Sequence, residues 1–172
     1  MPVWPHRLAE LWNGRQSSAH CPKHDDACRV GLADARKTSP MIDHVSLGVR
    51  DLARSQRFYD AALRPLGLVR IVDFEDRGSD YGSAPGSLGV EFTITEESGV
   101  VSSRGMHISF LARDRDAVAA FHDAALANGG RDDGAPGLRL QYHASYYGAF
   151  VLDPDGHRVE AVCHAPEHPE RL

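Results

Sequence analysis

Only three cysteines (Cys21, Cys28 and Cys163) occur among 172 residues, too few for a closed disulfide framework, and such sparse use fits a reducing, cytoplasmic setting better than secretion. Apolar runs are only a few residues long, which excludes a membrane-spanning helix. Positive charge is also short: 19 Lys and Arg face 24 Asp and Glu, for a net charge of −5. Without a basic surplus to neutralise a phosphate backbone, nucleic acid is excluded as the main partner. No apolar segment near the start reads as a secretory signal. What is present is ordinary globular composition, 42% hydrophobic and 25% charged. The length allows one domain, or two very small ones.

Residues 1–40 differ from the rest. A short stretch, HRLAELW, has two turns of helical pattern, and the remainder has no sustained period. His20, Cys21, His24 and Cys28 offer imidazole and thiolate, but not as the paired, closely spaced ligands of a structural zinc site. The expectation is a flexible extension over residues 1–40, a patterned domain over 41–165 and a polar tail over 166–172.

An internal repeat organises the patterned part. Setting residue n beside n + 63 gives identities without a gap that include His44/His107, Ser46/Ser109, Asp51/Asp114, Phe58/Phe121, the run Asp60–Leu63 on Asp123–Leu126, and Gly67/Gly130. Two copies of one supersecondary unit follow, over about 41–100 and 105–165. Each copy opens with a strand: Val45, Leu47 and Val49 alternate with His44, Ser46 and Gly48, and Ile108 and Phe110 with His107 and Ser109. A helix follows, capped by Asp51 in the first copy and by Asp114 or Asp116 in the second. Further strands include 88–95, 146–152 and 157–163, the last two joined by the turn Asp153-Pro154-Asp155-Gly156. Gly/Ser-rich connections are expected at 77–89 and 98–105. The pattern predicts an α+β domain built from two βαβββ modules.

His44 and Glu91 fall on the polar faces of the first and last strands of module one, and His107 and Glu160 on those of module two. Pairing of the modules about a pseudo-two-fold axis brings the two His/Glu pairs together. Two imidazoles and two carboxylates suit a divalent first-row metal: zinc, nickel, cobalt, manganese or iron(II). The plainer reading is that a histidine on a polar strand face is solvated and a glutamate sits in water; the duplicated placement favours the ligand set. Segment 138–148 gathers Tyr142, His143, Tyr146 and Tyr147 just before the turn. Aromatic residues favour strands for reasons of packing alone; as function, His143 or Tyr147 would donate to a substrate oxygen or serve as a second general acid. His122 and His157 are expected at the surface.

The runs IDHVSLGVRDLARSQRFYDAALRPLG, GMHISFLARDRDAVAAFHDAAL and YYGAFVLDPDGHRVEAV resemble the vicinal oxygen chelate superfamily, which holds glyoxalase I, extradiol dioxygenases, fosfomycin-resistance proteins and bleomycin-binding proteins. The resemblance implies paired βαβββ modules forming a cup-shaped mixed sheet, with helices on its outer face. It implies one divalent metal held by His44, Glu91, His107 and Glu160. The metal would chelate adjacent substrate oxygens while Glu160 or Glu91 moves a proton, with His143 as a further catalytic group and Tyr142, Tyr147 and Phe150 against the substrate. Four candidate ligands favour a glyoxalase-like lyase or isomerase. A thiol cosubstrate such as glutathione belongs to that branch, but no local residues identify its site. Phe150 stands at the strand position where ring-cleaving Fe(II) dioxygenases carry a tyrosine, and Tyr146 and Tyr147 lie outside that register. The rivals are such a dioxygenase, or a binding or sequestration protein of the bleomycin-resistance type. Family likeness also implies a homodimer acting on a small molecule, with the modules pairing within or between chains.

Overall fold

Alternation of apolar and polar residues sets the first strand, β1 (Val45–Val49), in which Leu47 and Val49 are buried and Ser46 is exposed. The chain then turns into helix α1 (Leu52–Leu63), whose N-cap Asp51 accepts a hydrogen bond from the Arg54 amide at 2.8 Å. A short 3-10 turn follows over Arg64–Leu66, and Gly67, at φ 86°, releases the chain in the left-handed conformation. Three strands complete module one: β2 (Val69–Phe74), β3 (Gly78–Gly82) and β4 (Phe92–Glu96). Module two repeats the order with β5 (His107–Leu111), α2 (Arg115–Ala127), β6 (Arg131–Leu138), β7 (Tyr147–Leu152) and β8 (Arg158–Cys163). Asp114 is the N-cap of α2, accepting from the Ala117 amide at 2.8 Å. The computed structural model describes residues 42–74, 77–83 and 89–166. The expectations for residues 1–40, including their histidines and cysteines, and for most of the tail lie outside these.

Each module forms a four-stranded mixed sheet, ordered β1-β4-β3-β2 in one and β5-β8-β7-β6 in the other. The first and last strands of each module are parallel, and the other pairs are antiparallel. Each helix packs on its own sheet, and the two helices pack on each other. One apolar core results, holding Phe58, Tyr59, Tyr81 and Phe92 from module one and Phe121, Val151 and Val159 from module two. Full burial of each large side chain stabilises the fold by about 1.5–3 kcal/mol before entropy is counted.

The expected connection over 77–89 begins instead with β3, all of whose residues are buried. Its composition, GSDYG, hides the strand, yet the glycine is demanded by packing. A Cβ on Gly78 would lie 2.7 Å from the Ile94 carbonyl oxygen and collide with the Phe74 ring. One edge strand of each sheet is irregular: β2 slips in register between Arg70 and Val72, and β6 slips twice between Asp132 and Gly137, a stretch that includes Pro136.

A buried polar cluster joins the modules. The Asp153 carboxylate accepts from the amides of Asp155 and His157 at 2.9 and 2.8 Å and from the Tyr59 hydroxyl, on α1, at 2.8 Å. Burial and the neighbouring Asp153 charge push the Tyr59 phenol well above its usual range. Asp155, whose side chain is fully buried, pairs with Arg54 and with Arg50 (3.3 Å), and accepts from the Arg50 amide at 3.0 Å. The His157 ring donates through Nε2 to the Gly48 carbonyl at 2.9 Å. His157 is therefore half-buried rather than superficial. His122 is buried on α2 and bonded to Asp132 at 2.8 Å, again contrary to a surface placement, because the start of β6 closes over the helix.

Candidate active site

In β8, Val159, Ala161 and Cys163 enter the core, which turns Arg158, Glu160 and Val162 to the opposite face of the sheet. Glu160 is nonetheless only 1% exposed. Its two oxygens are held from two sides: the Tyr146 hydroxyl donates to Oε1 at 2.6 Å, and His107 Nε2 lies 3.2 Å from Oε2. Burial, together with the hydrogen bond to Glu160 and its charge, pushes the Tyr146 phenol up to about 12. Gly148 leaves room for this contact, since a Cβ there would lie 3.1 Å from Glu160 Oε1 and 3.3 Å from the Tyr146 ring. His107, at the start of β5, is half exposed and faces a cavity of about 310 Å³ that also touches Gly48, Val100, Met106 and Arg158.

Phe150 is the register partner of Glu160 on β7 and shares its face. Its ring stands 6.1 Å from His107, with the Arg158 guanidinium 4.3 Å and the Arg139 guanidinium 5.7 Å above it. Tyr142 is exposed, its ring 4.7 Å from that of Tyr146. His143 sits one residue shell further out: its ring is 5.4 Å from Tyr146, and its Nε2 is 2.9 Å from His164 Nδ1. Tyr147 belongs to the other face. It pairs in register with Cys163, packs against the core and lies under Arg115, 5.0 Å from that guanidinium.

The first module differs. His44 is exposed and its Nδ1 is bonded to Asp43 at 2.7 Å. Glu91, also exposed, precedes β4, where its carbonyl accepts from the Val45 amide at 3.1 Å. Sheet register sets the correspondence between modules: Ser109 opposes Glu160, whereas Ser46 opposes Thr93. The position equivalent to Glu160 is thus Thr93, and Glu91 lies two residues earlier, at the counterpart of Arg158. The repeat interval of 63 that aligns the first strands and the helices grows to 67 by the last strand, so a carboxylate-to-carboxylate alignment misses the register. Thr93 donates to the buried Asp80 carboxylate at 2.6 Å, and Asp80 stands where Phe150 stands in module two.

Of the four anticipated ligands, the structure brings His107 and Glu160 together. Two donors bound to one ion at about 2.0–2.2 Å stand roughly 3 Å apart, so the 3.2 Å spacing of this pair suits a shared metal. Among the described residues, however, no group of three or more His, Cys, Asp or Glu side chains is placed to hold an ion. The described residues of one chain therefore bring two donors together, short of the three a catalytic metal site uses. Tyr146 was legible only as part of an aromatic cluster; Arg139, Thr93 and Asp80 carried no local signal.

Residues 41–161 match the sequence profile of the Glyoxalase/Bleomycin resistance protein/Dioxygenase superfamily. The chain belongs to that superfamily. Its fold is similar to that of a glyoxalase/bleomycin resistance protein from Albidiferax ferrireducens T118, with 34% identity, a TM-score of 0.62, and coverage of 73% of this chain and 99% of the other. It is also similar to a point mutant of glyoxalase I from Zea mays, with 26% identity and a TM-score of 0.54, covering 70% of this chain and 46% of that one. A glyoxalase-related enzyme from Fulvimarina pelagi, at 20% identity and a TM-score of 0.55, shares the fold over 73% of this chain and 88% of its own. No protein of curated function matches. Among the described residues of this superfamily member, no helix is long and apolar enough to cross a membrane.

Proposed function

We propose that the protein is a metal-dependent lyase or isomerase of the glyoxalase type, acting on a small substrate with adjacent oxygens. The observation that carries this reading is Glu160, a buried carboxylate held between a phenol and an imidazole on an open sheet face. Such a group is shielded from water, fixed in direction and within reach of a proton on a bound molecule. A divalent metal, when bound, supplies Lewis-acid stabilisation of the substrate oxygens. His107 and Glu160 would contribute two of its ligands. We place the third on a second copy of the chain, His44 of the partner subunit, in a homodimer whose cup is shared. Glu160 takes a proton from the substrate carbon and returns it to the neighbouring one. Tyr146 orients that carboxylate through its 2.6 Å bond, and Phe150 excludes water from the sheet beside it.

A second reading, a binding protein without turnover, is favoured by one observation: Thr93 stands where the pseudo-symmetry would put the second glutamate. Elemental analysis of the wild type beside His107→Ala, Glu160→Gln and His44→Ala decides between them. The enzyme reading expects about one divalent ion per chain in the wild type, lost in all three variants, and a dimer in solution. Absence of metal after reconstitution, or retention in Glu160→Gln, overturns it and leaves the binding protein.

A further inference from the structure

The sheet face that carries Glu160 also carries a cation without a counter-charge. Arg139 lies over the Phe150 ring, its guanidinium carbon 5.7 Å from the ring centre. Two glycines of β6 form its seat: a Cβ on Gly134 would approach Arg139 Nη2 to 3.3 Å, and one on Gly137 would approach Nη1 to 3.3 Å. The guanidinium makes one hydrogen bond, from Nη2 to the Ala135 carbonyl at 2.7 Å, and no ion pair among the described residues. An arginine has five N–H donors in a fixed fork, so most of its capacity is unspent. Arg158, over the same ring, is in contrast neutralised by Asp133 at 2.6 Å. Under the two guanidinium groups Phe150 is only 6% exposed. The result is a positioned, half-exposed planar cation beside the Tyr146–Glu160 pair.

We infer that Arg139 is the anion-binding residue of this site and that the ligand carries a carboxylate or phosphate. Its anionic end docks in the Arg139 fork over Phe150, and its reactive end points along β7 and β8 to Glu160 and His107. Bidentate pairing suits either anion. What happens to the ligand rests on the reading of Glu160 given above; the binding of the anion does not.

The test uses the full chain, stripped of metal with a chelator and labelled with nitrogen-15. It is titrated with pyruvate, with inorganic phosphate and with neutral acetone while backbone signals are followed. At least one of the anions is expected to shift Gly134, Gly137 and Arg139 saturably, and the one that saturates tells carboxylate from phosphate. The neutral ketone is expected to leave them unmoved. Arg139→Gln should weaken the anion about tenfold or more, the loss of a charge-assisted contact, and Arg139→Lys should recover part of that. Asp133→Asn, which frees Arg158, should tighten it. Equal affinity in the wild type and Arg139→Gln, an equal response to acetone, or no saturation by either anion overturns the assignment. Metal content, measured separately, is unmoved by Arg139→Gln, so failure here is distinct from failure of the metal reading.

Discussion

Tyr59→Phe removes one buried hydroxyl and nothing else of consequence to packing, because the ring stays in place among Phe58, Tyr81 and Phe92. The lost bond is the 2.8 Å contact from α1 to Asp153, both partners being out of contact with water. Asp153 keeps its two backbone donors, so the carboxylate is left one donor short rather than stripped. A hydrogen bond to a charged group is worth about 1.5–3 kcal/mol, and the variant also avoids burying a hydroxyl, so the net loss should be about 1–2 kcal/mol. At this chain length each kcal/mol moves Tm by about 3–4 °C, which sets the expected drop at about 3–8 °C. Urea and thermal unfolding followed by circular dichroism read it. Asp153→Ala, which abandons all three donors, should cost more, about 3 kcal/mol or above. An unchanged Tm for Tyr59→Phe, or an Asp153→Ala variant no worse than it, would refute the reading of this cluster as the fastening between modules.

Gly78→Ala should cost about 2–3 kcal/mol in urea unfolding, since the added methyl meets the Ile94 carbonyl, which cannot swing away, as well as the Phe74 ring. In alkaline absorbance titration one phenol should ionise at about 12 and vanish from the curve in Tyr146→Phe. Because its folded value is raised, the stability Tyr146 contributes is complete below the unfolded value near 10 and is lost as pH rises from about 10 to about 12. The hydrogen bond from His122, with a smaller share from the Gly134 amide, holds Asp132 below the usual carboxylate range. That contribution is present above about pH 4 and is lost as pH falls further through the depressed folded value, so His122→Ala should flatten the acid limb of the urea midpoint.

Much of the fold was legible because it depends on periodicity. Val45, Leu47 and Val49 announce a half-buried strand, Asp51 and Asp114 announce helix starts, and the repeat identities announce two modules. The strand Gly78–Gly82 was not legible: its residues are small and polar, and only packing against Phe74 and Ile94 explains them. In the site, alternation along β8 sufficed to turn Glu160 away from the core, and the strand start sufficed for His107. The partners of Glu160 are another matter. Tyr146 reaches it because β7 pairs with β8 in one register, and Thr93 opposes Ser46 because of four extra residues between the first and last strands of module two. Register is a long-range property, and a two-residue error leaves the alternation of faces intact while changing the residue at the site.

The irregular outer strands have a consequence for assembly. A sheet grows by templating when a regular edge offers its amides and carbonyls to a newcomer. Here β6 has lost its regular spacing twice and holds Pro136, which has no N–H to offer, and β2 is bulged after Arg70. Neither of these two margins offers a regular template to an added strand. Strand addition is thus left to the opposite margins, β1 and β5, whose pairing is regular and the second of which begins at His107.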